Sequence, residues 1–312
     1  MRALIVTNMY PTSERPALGS FVRDQVHALR RIPGVGVEVF AFAPGAARAY
    51  AGAAAGLRRR FGLERFDIVH AHFGLSAWPA LAARGRHHAV TMHGTDLTHP
   101  RSRLITLAAL RLVDLAGVVS EQLAGQVPRW AARAPVSVLP CGVDMERFRP
   151  MARGEARAAL GLRRDQPYLL FPADPRRPEK RYDRALAVAG DVPVQALGAV
   201  VPEQVPLWVN GANAVLVPSD REGFGLAVLE ALACDVPVFA TPAGIAPELL
   251  REVPGAHCGP FDAGVWRDRL APHLTADDPR VDGRRHAEPF SCDRMAARVL
   301  AAWRALDGAD HS

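Results

Sequence analysis

Short apolar runs alternate with stretches of helical spacing along the whole chain, the pattern of parallel α/β layers. In the first half the runs that predict strands are 4–8, 35–43, 66–71, 89–92, 117–120 and 136–139. In the second half they are 168–171, 192–197, 214–218 and 236–241, with a short one near 255–258. Residues 150–155 join the two series and predict a hinge there. Two domains follow, residues 1–150 and 151–289. Beyond them, Pro289-Phe290-Ser291 and the helical spacing of 294–306 predict a closing helix within 290–312. A chain of 312 residues, 49% hydrophobic, has enough apolar material for two modest cores.

No apolar run approaches the ~20 residues that a membrane-spanning helix needs. The longest candidate, 104–119, is interrupted by Arg111 and Asp114. The opening Arg2-Ala3-Leu4-Ile5-Val6-Thr7-Asn8 reads as a first buried strand rather than a signal peptide. Cys141, Cys234, Cys258 and Cys292 are far apart and form no C-x-x-C pair. That spacing argues against a zinc site or disulfide scaffold and suits a reducing cytoplasm.

The net charge of +6 is uneven. Residues 1–150 carry 19 Arg against 10 acids, a net of +9, and the remainder 18 Arg and one Lys against 22 acids, a net of −3. A basic first half is suited to an anionic lipid surface or a phosphorylated acceptor. Arg58-Arg59-Arg60 beside Leu57 and Phe61, and Arg101 and Arg103 beside Leu104 and Ile105, have the make-up of surface-seeking segments. Arginine-rich coding that decorates solvated faces explains the same residues. No nucleic-acid motif accompanies the charge, so nucleic acid is not an expected partner.

Chemistry gathers where the predicted strands end. After the run at 214–218 comes Asp220-Arg221-Glu222-Gly223-Phe224-Gly225-Leu226, leading into helical spacing that carries Glu230. A strand that turns on glycines into a helix aims free N–H groups at one place, which favours an anion. Eight positions span a little over two helical turns, so Glu222 and Glu230 are expected near one face, where carboxylates would accept hydrogen bonds from hydroxyls. After the run at 168–171 comes Asp174-Pro175-Arg176-Arg177-Pro178-Glu179-Lys180-Arg181, with the only lysine of the chain. Cations on such a loop can hold a diphosphate. A solvated basic turn and two incidental glutamates are the plainer readings. His70 and His72 form an H-x-H pair facing one way, without a third metal ligand at suitable spacing.

These segments, with Val90-Thr91-Met92-His93-Gly94-Thr95-Asp96 and Val138-Leu139-Pro140-Cys141-Gly142-Val143-Asp144 followed by Phe148, resemble retaining glycosyltransferases of family 4. Glu222 and Glu230 resemble that family's E-x7-E signature, and 93–96 its HGTD loop. The resemblance covers most of the chain. It implies the GT-B fold, two Rossmann-like domains with facing parallel sheets and a cleft between them. Residues 1–150 would then bind the acceptor, 151–289 the nucleotide-sugar donor, and the closing helix would cross back to the first domain.

The resemblance also implies roles. Arg177 and Lys180 would hold the donor diphosphate, with Arg176 the alternative to Arg177. The amides of Gly223, Phe224, Gly225 and Leu226 would support it, and Gly19 would approach it from the first loop. Glu222 would hold hydroxyls of the donor sugar, Glu230 those of the ribose, and His93 would hydrogen-bond the transferred sugar. Gly244, Ile245 and Glu248 resemble a secondary loop. In the family's usual spelling a glycine follows the lysine, and here Arg181 stands in its place. The implied activity is transfer of a sugar from a UDP- or GDP-type donor to a hydroxyl acceptor: lipid-linked, glycan or small molecule. No metal or other cofactor is expected, and the enzyme would be cytoplasmic or peripheral on the membrane's cytoplasmic face. A non-catalytic sugar-nucleotide binder and another GT-B enzyme, such as a sugar-nucleotide epimerase, are the competing readings.

Overall fold

A computed structural model describes residues 1–133, 135–198 and 200–309. The last three residues of the 290–312 segment lie outside them. The chain divides into two compact units, residues 1–142 with 292–312, and residues 143–291.

The first unit is built on six parallel strands: β1 (Arg2–Thr7), β2 (Gly36–Ala41), β3 (Arg65–His72), β4 (Arg84–Met92), β5 (Leu115–Val118) and β6 (Ser137–Val138). Their order is β2-β1-β3-β4-β5-β6. β1 lies between two neighbours, with Val6 opposite Phe40 on one side and Ala71 on the other. Its side chains from Ala3 to Thr7 are all buried, as expected for a parallel strand covered on both faces. The helix Ser20–Arg30 packs Val22, Val26 and Leu29, spaced i, i+4 and i+7, into that core.

The helix Cys292–Ala309 joins this same unit, burying Met295, Val299 and Trp303 in the same cluster. Polar contacts fix its seat. Trp303 Nε1 donates to His70 Nδ1 at 3.0 Å, and Asp307 pairs with Arg86 and His87.

The second unit has five parallel strands: β7 (Leu169–Phe171), β8 (Val194–Ala196), β9 (Ala214–Val217), β10 (Val238–Ala240) and β11 (His257–Cys258). Their order is β11-β10-β9-β7-β8. Leu169, Phe171, Leu216, Phe239 and Trp266 form its core. Beside it lies a fully buried arginine, Arg157, which donates to the carbonyls of Gly211 and Arg164 and to Asn213 Oδ1. Its charge is tolerated in the interior because its donors are matched by acceptors.

Two sequence expectations need correction. The first is the division at 150/151, which lies at 142/143 instead. Arg284 donates to the carbonyls of Met145 and Phe148, both at 2.8 Å, and Arg280 donates to that of Met151. Those bonds hold 143–151 in the second unit. The return point likewise falls after Ser291, so Phe290 also belongs there. The second correction is the start of β4, five residues before 89. Arg84-Gly85-Arg86-His87-His88 is polar, yet it pairs with β3 from Arg84 opposite Arg65 onward. His87 is satisfied by Asp307, and the amide of His88 by Asp114.

Trp303 is only 1% exposed and bridges a helix to the central sheet. Trp303→Ala is expected to cost about 3–5 kcal/mol in denaturant unfolding, the range for a large aromatic lost from a packed core. A loss under about 1 kcal/mol would mean the helix is not a structural part of this unit.

Candidate active site

The loops that follow β7, β9 and β10 meet at the carboxyl ends of adjacent strands in the second unit. Lys180 closes the short 3-10 turn Pro178–Lys180 after β7. Its Nζ donates to both oxygens of Glu222, at 2.7 and 2.6 Å, and Ser219 Oγ donates to Glu222 Oε1 at 2.7 Å. The two side chains are sheltered, 16% and 10% exposed. The backbone joins the same two loops, the amide of Asp220 donating to the carbonyl of Glu179 at 2.9 Å. An ammonium has three donors. Two serve Glu222, and one is left for a further anionic oxygen.

Glu222 is not helical. The helix that follows is Leu226–Ala233, with Gly225 at φ 98° in the N-cap position and so no side-chain cap from that residue. The expectation that Glu222 and Glu230 share a helix face is therefore corrected. Glu230 rides the helix, whereas Glu222 is placed by the loop and by Lys180. An uncapped helix start leaves N–H groups for an anion.

Below this loop runs the one after β10. Gly244 sits at φ 60°, and a Cβ there would lie 2.3 Å from the carbonyl oxygen of Phe224, so only glycine fits. The amide of Ile245 donates to that same carbonyl at 2.7 Å. Glu248, in contrast, is exposed on the short helix Ala246–Leu249. A cavity of about 280 Å³ opens beside these loops, lined by Arg184, Ser219, Asp220, Thr241 and Phe261 among others.

The two candidate arginines are clipped to local acids. Arg176 bonds Asp174, holding its carboxyl down at about 2, and Arg177 bonds Glu179 at 2.7–2.9 Å. Their side chains are 88% and 55% exposed, so neither belongs to the sheltered pair. Arg181, at the position where the family usually has glycine, adopts φ 57° and ψ 55°, the left-handed conformation glycine takes readily. That backbone costs an L-residue about 1–2 kcal/mol. Its guanidinium is held there by Asp183 at 2.7 Å and Asp220 at 3.1 Å, and Arg184 also pairs with Asp220. Ser219, Asp220 and Arg184 were not singled out from sequence. Their signal was position: each flanks a strand-to-helix loop already marked by Lys180 or Glu222.

In the first unit, Gly19 caps the helix Ser20–Arg30 at φ 66°, and a Cβ would come within 2.2 Å of the carbonyl oxygen of Met9. Glycine is required there by the backbone of the same loop. Ser20 is the first helical residue and does not cap the helix.

His93 follows β4, and the next residue, Gly94, turns the chain at φ 127°. The carboxylate of Asp96, fully buried, accepts from the amides of His93, Gly94 and Gly74 at 2.8–3.1 Å. Burial pushes that carboxyl up, against the pull of the amides. Asp96 thus shapes the loop instead of reaching a ligand. His70 and His72 stack at 5.0 Å, with His70 Nε2 2.8 Å from Thr91 Oγ1 and His72 Nδ1 3.0 Å from His93 Nε2. Burial lowers all three rings below the ordinary histidine value, His72 to about 3.

Two doubly wound parallel sheets, each with its loops at the carboxyl ends of the strands, make this a GT-B protein. Residues 4–147 match the Glycosyltransferase Family 4 profile, and residues 158–282 match that of glycosyl transferases group 1. The D-inositol 3-phosphate glycosyltransferase of Actinosynnema mirum is 31% identical over 307 residues, covering 76% of this chain and 72% of that protein. The one from Mycolicibacterium paratuberculosis is 29% identical over 357 residues, covering 94% and 78%. Among solved structures, sucrose-phosphate synthase from Thermosynechococcus elongatus superposes with a TM-score of 0.74 at 20% identity, covering 99% of both chains. Anabaena HepE, in complex with UDP and glucose, gives 0.71 at 16% identity over 98% of this chain and 100% of its own. The chain belongs to glycosyltransferase family 4. It is an enzyme that takes a sugar from a nucleotide-sugar donor to a hydroxyl acceptor.

The three neutral histidines make the fold sensitive to acid. The unfolded chain binds their protons more readily than the folded one, so stability is full above about pH 6.5 and falls as pH drops toward 3. Thermal unfolding followed from about pH 8 to about pH 4 should show the midpoint declining below 6.5, and less steeply in His72→Asn. A flat profile would show that these rings are not buried neutral.

Proposed function

We propose that this glycosyltransferase works with retention of anomeric configuration, without a divalent metal, through a donor site in its second unit. The sheltered Lys180–Glu222 pair at the mouth of an uncapped helix is the observation that carries the reading. The donor diphosphate takes the remaining proton of Lys180 Nζ and the amides from Phe224 to Leu226. Arg177, exposed and held by a neighbouring acid, swings to the outer phosphate oxygens, with Arg176 as its alternate. Glu222, fixed by Lys180 and Ser219, accepts hydroxyls of the transferred sugar, and Glu230 those of the ribose.

The bond between the anomeric carbon and the leaving phosphate oxygen breaks, and negative charge grows on the diphosphate. Fixed cations and helix dipoles stabilise that charge in the place of a metal. The acceptor oxygen bonds the anomeric carbon on the same face, and its proton passes to the leaving phosphate oxygen. His93 offers a neutral ring to a substrate hydroxyl. The donor is of the UDP or GDP type.

The test is release of nucleoside diphosphate from UDP-, GDP-, dTDP- and ADP-sugars, with and without excess chelator. Chelator should leave the rate unchanged, and Lys180→Ala should lower it roughly 10²-fold or more, as losing one oxyanion-type donor does. Metal-reversible loss of all activity, or a near-normal rate in Lys180→Ala at saturating donor, would refute this site.

The acceptor is anionic. The relatives are named for an inositol phosphate, and residues 1–150 carry a net of +9. A second reading, that it is presented on an anionic membrane, is favoured by exposed apolar side chains next to arginines. Leu104 is 71% and Ile105 44% exposed on the helix that carries Arg101, and Trp78, which bonds the Ile105 carbonyl, is 41% exposed. Leu63, three residues past Arg60, is 94% exposed, whereas Leu57 and Phe61, the apolar neighbours expected from the sequence to seek a surface, are buried in the core. No described helix is long and apolar enough to cross a membrane. Co-sedimentation with anionic vesicles should exceed that with neutral ones and weaken as salt is raised, since each basic side chain adds on the order of 1 kcal/mol within a Debye length. Equal, negligible binding to both would leave a free phosphorylated acceptor.

A further inference from the structure

Two buried side chains in the first unit and the half-buried ring of His93 form a hydrogen-bonded series that ends on His93. Gln25 Nε2 lies 3.1 Å from His72 Nε2, and His72 Nδ1 lies 3.0 Å from His93 Nε2. Gln25 and His72 are 7% and 1% exposed, so water does not compete for these bonds. The helix Ser20–Arg30 reads the pair with two side chains one turn apart. Phe21 packs its ring on His93 at 4.8 Å, and Gln25 meets His72.

An amide nitrogen can only donate, so His72 Nε2 must accept. Burial keeps both rings neutral. A neutral ring that accepts at Nε2 carries its proton on Nδ1, and His72 therefore donates to His93 Nε2. His93, accepting there, keeps its own proton on Nδ1.

We propose that Gln25 is a positioning residue which, through His72, fixes His93 as the Nδ1–H tautomer, so that His93 presents a hydrogen-bond donor and not an acceptor to a substrate oxygen. This rests on the reading of His93 as a substrate-facing ring. A second series, from Trp303 Nε1 to His70 Nδ1 and His70 Nε2 to Thr91 Oγ1, fixes the neighbouring ring by the same logic and reaches no exposed group. The first series differs in ending on a half-buried ring.

The experiment is long-range ¹H–¹⁵N correlation of the imidazoles in the ¹⁵N-labelled, full-length protein at neutral pH, with His93 assigned through His93→Gln. The wild-type ring should show a protonated Nδ1 and a bare Nε2. In Gln25→Met, which keeps the volume but not the donor, and in His72→Phe, the Nε2–H form should appear. A wild-type His93 protonated on Nε2, or an unchanged tautomer in both variants, would overturn the proposal. Circular dichroism melts establish that the variants are folded. With the nucleotide sugar that the wild type turns over, kcat/KM in Gln25→Met should fall on the order of tenfold, the scale of one hydrogen bond. An altered tautomer with unaltered kinetics would overturn the link to catalysis. Unaltered kinetics in His93→Gln, with the wild-type tautomer as expected, would instead refute only the substrate-facing role of His93.

Discussion

The loop cluster of the second unit depends on one ion pair. Lys180 and Glu222 come from loops on neighbouring strands, and each is sheltered enough that losing its partner would leave a charge without compensation. The pair therefore sets where both loops stand. The strained backbone of Arg181, its bonds to Asp183 and Asp220, and the amide of Asp220 on the Glu179 carbonyl are arranged around it. Gly244 supports it from below by letting the third loop reach the Phe224 carbonyl without a side chain between. A chain that otherwise uses arginine for every long cation keeps a lysine here. A compact ammonium can serve both carboxylate oxygens and still keep one donor, and a planar guanidinium would fill the same space differently.

The fold was legible because both sheets are parallel and covered on both faces, so strands read as unbroken apolar runs. Each of the eleven runs overlaps a strand. The exception in detail is β4, whose first five residues are polar and are paired through the backbone alone, information that side-chain patterning does not carry. Residues 143–150 were assigned to the wrong half for a similar reason. Arginines 280 and 284 claim them through carbonyl oxygens, and carbonyls look alike in every sequence.

The candidate site was legible only as far as contacts are local. Lys180, Glu222 and the glycines announce themselves by following strands. The geometry between them does not, and a helical-face argument misplaced Glu222 because the helix begins at Leu226. The arginines at 176 and 177 show the opposite limit. A pair of adjacent arginines suggests a formed phosphate cradle, but each guanidinium bonds an acid two residues away. Long-range partners left no sequence signal at all. Gln25 and His72 are 47 positions apart, and His70 and Trp303 are 233 apart.

The His-Gly-Thr-Asp segment shows how one short motif divides its labour. Asp96 is the residue a reader would first assign to a ligand, yet its carboxylate is consumed by three amides, and burial would make any weaker set of bonds costly. Those amides fix the direction in which the chain leaves β4. Gly94 supplies the turn, at a φ that a side chain would resist. Thr95 is exposed and His93 half-buried, and the His93 ring nitrogen Nε2 is already engaged by His72. That leaves Nδ1 of the ring, and the contacts behind Nε2 run back through His72 to Gln25 on the first helix. A buried polar network of this kind rigidifies its members when complete, and the orientation of each imidazole here is tied to that of its neighbour.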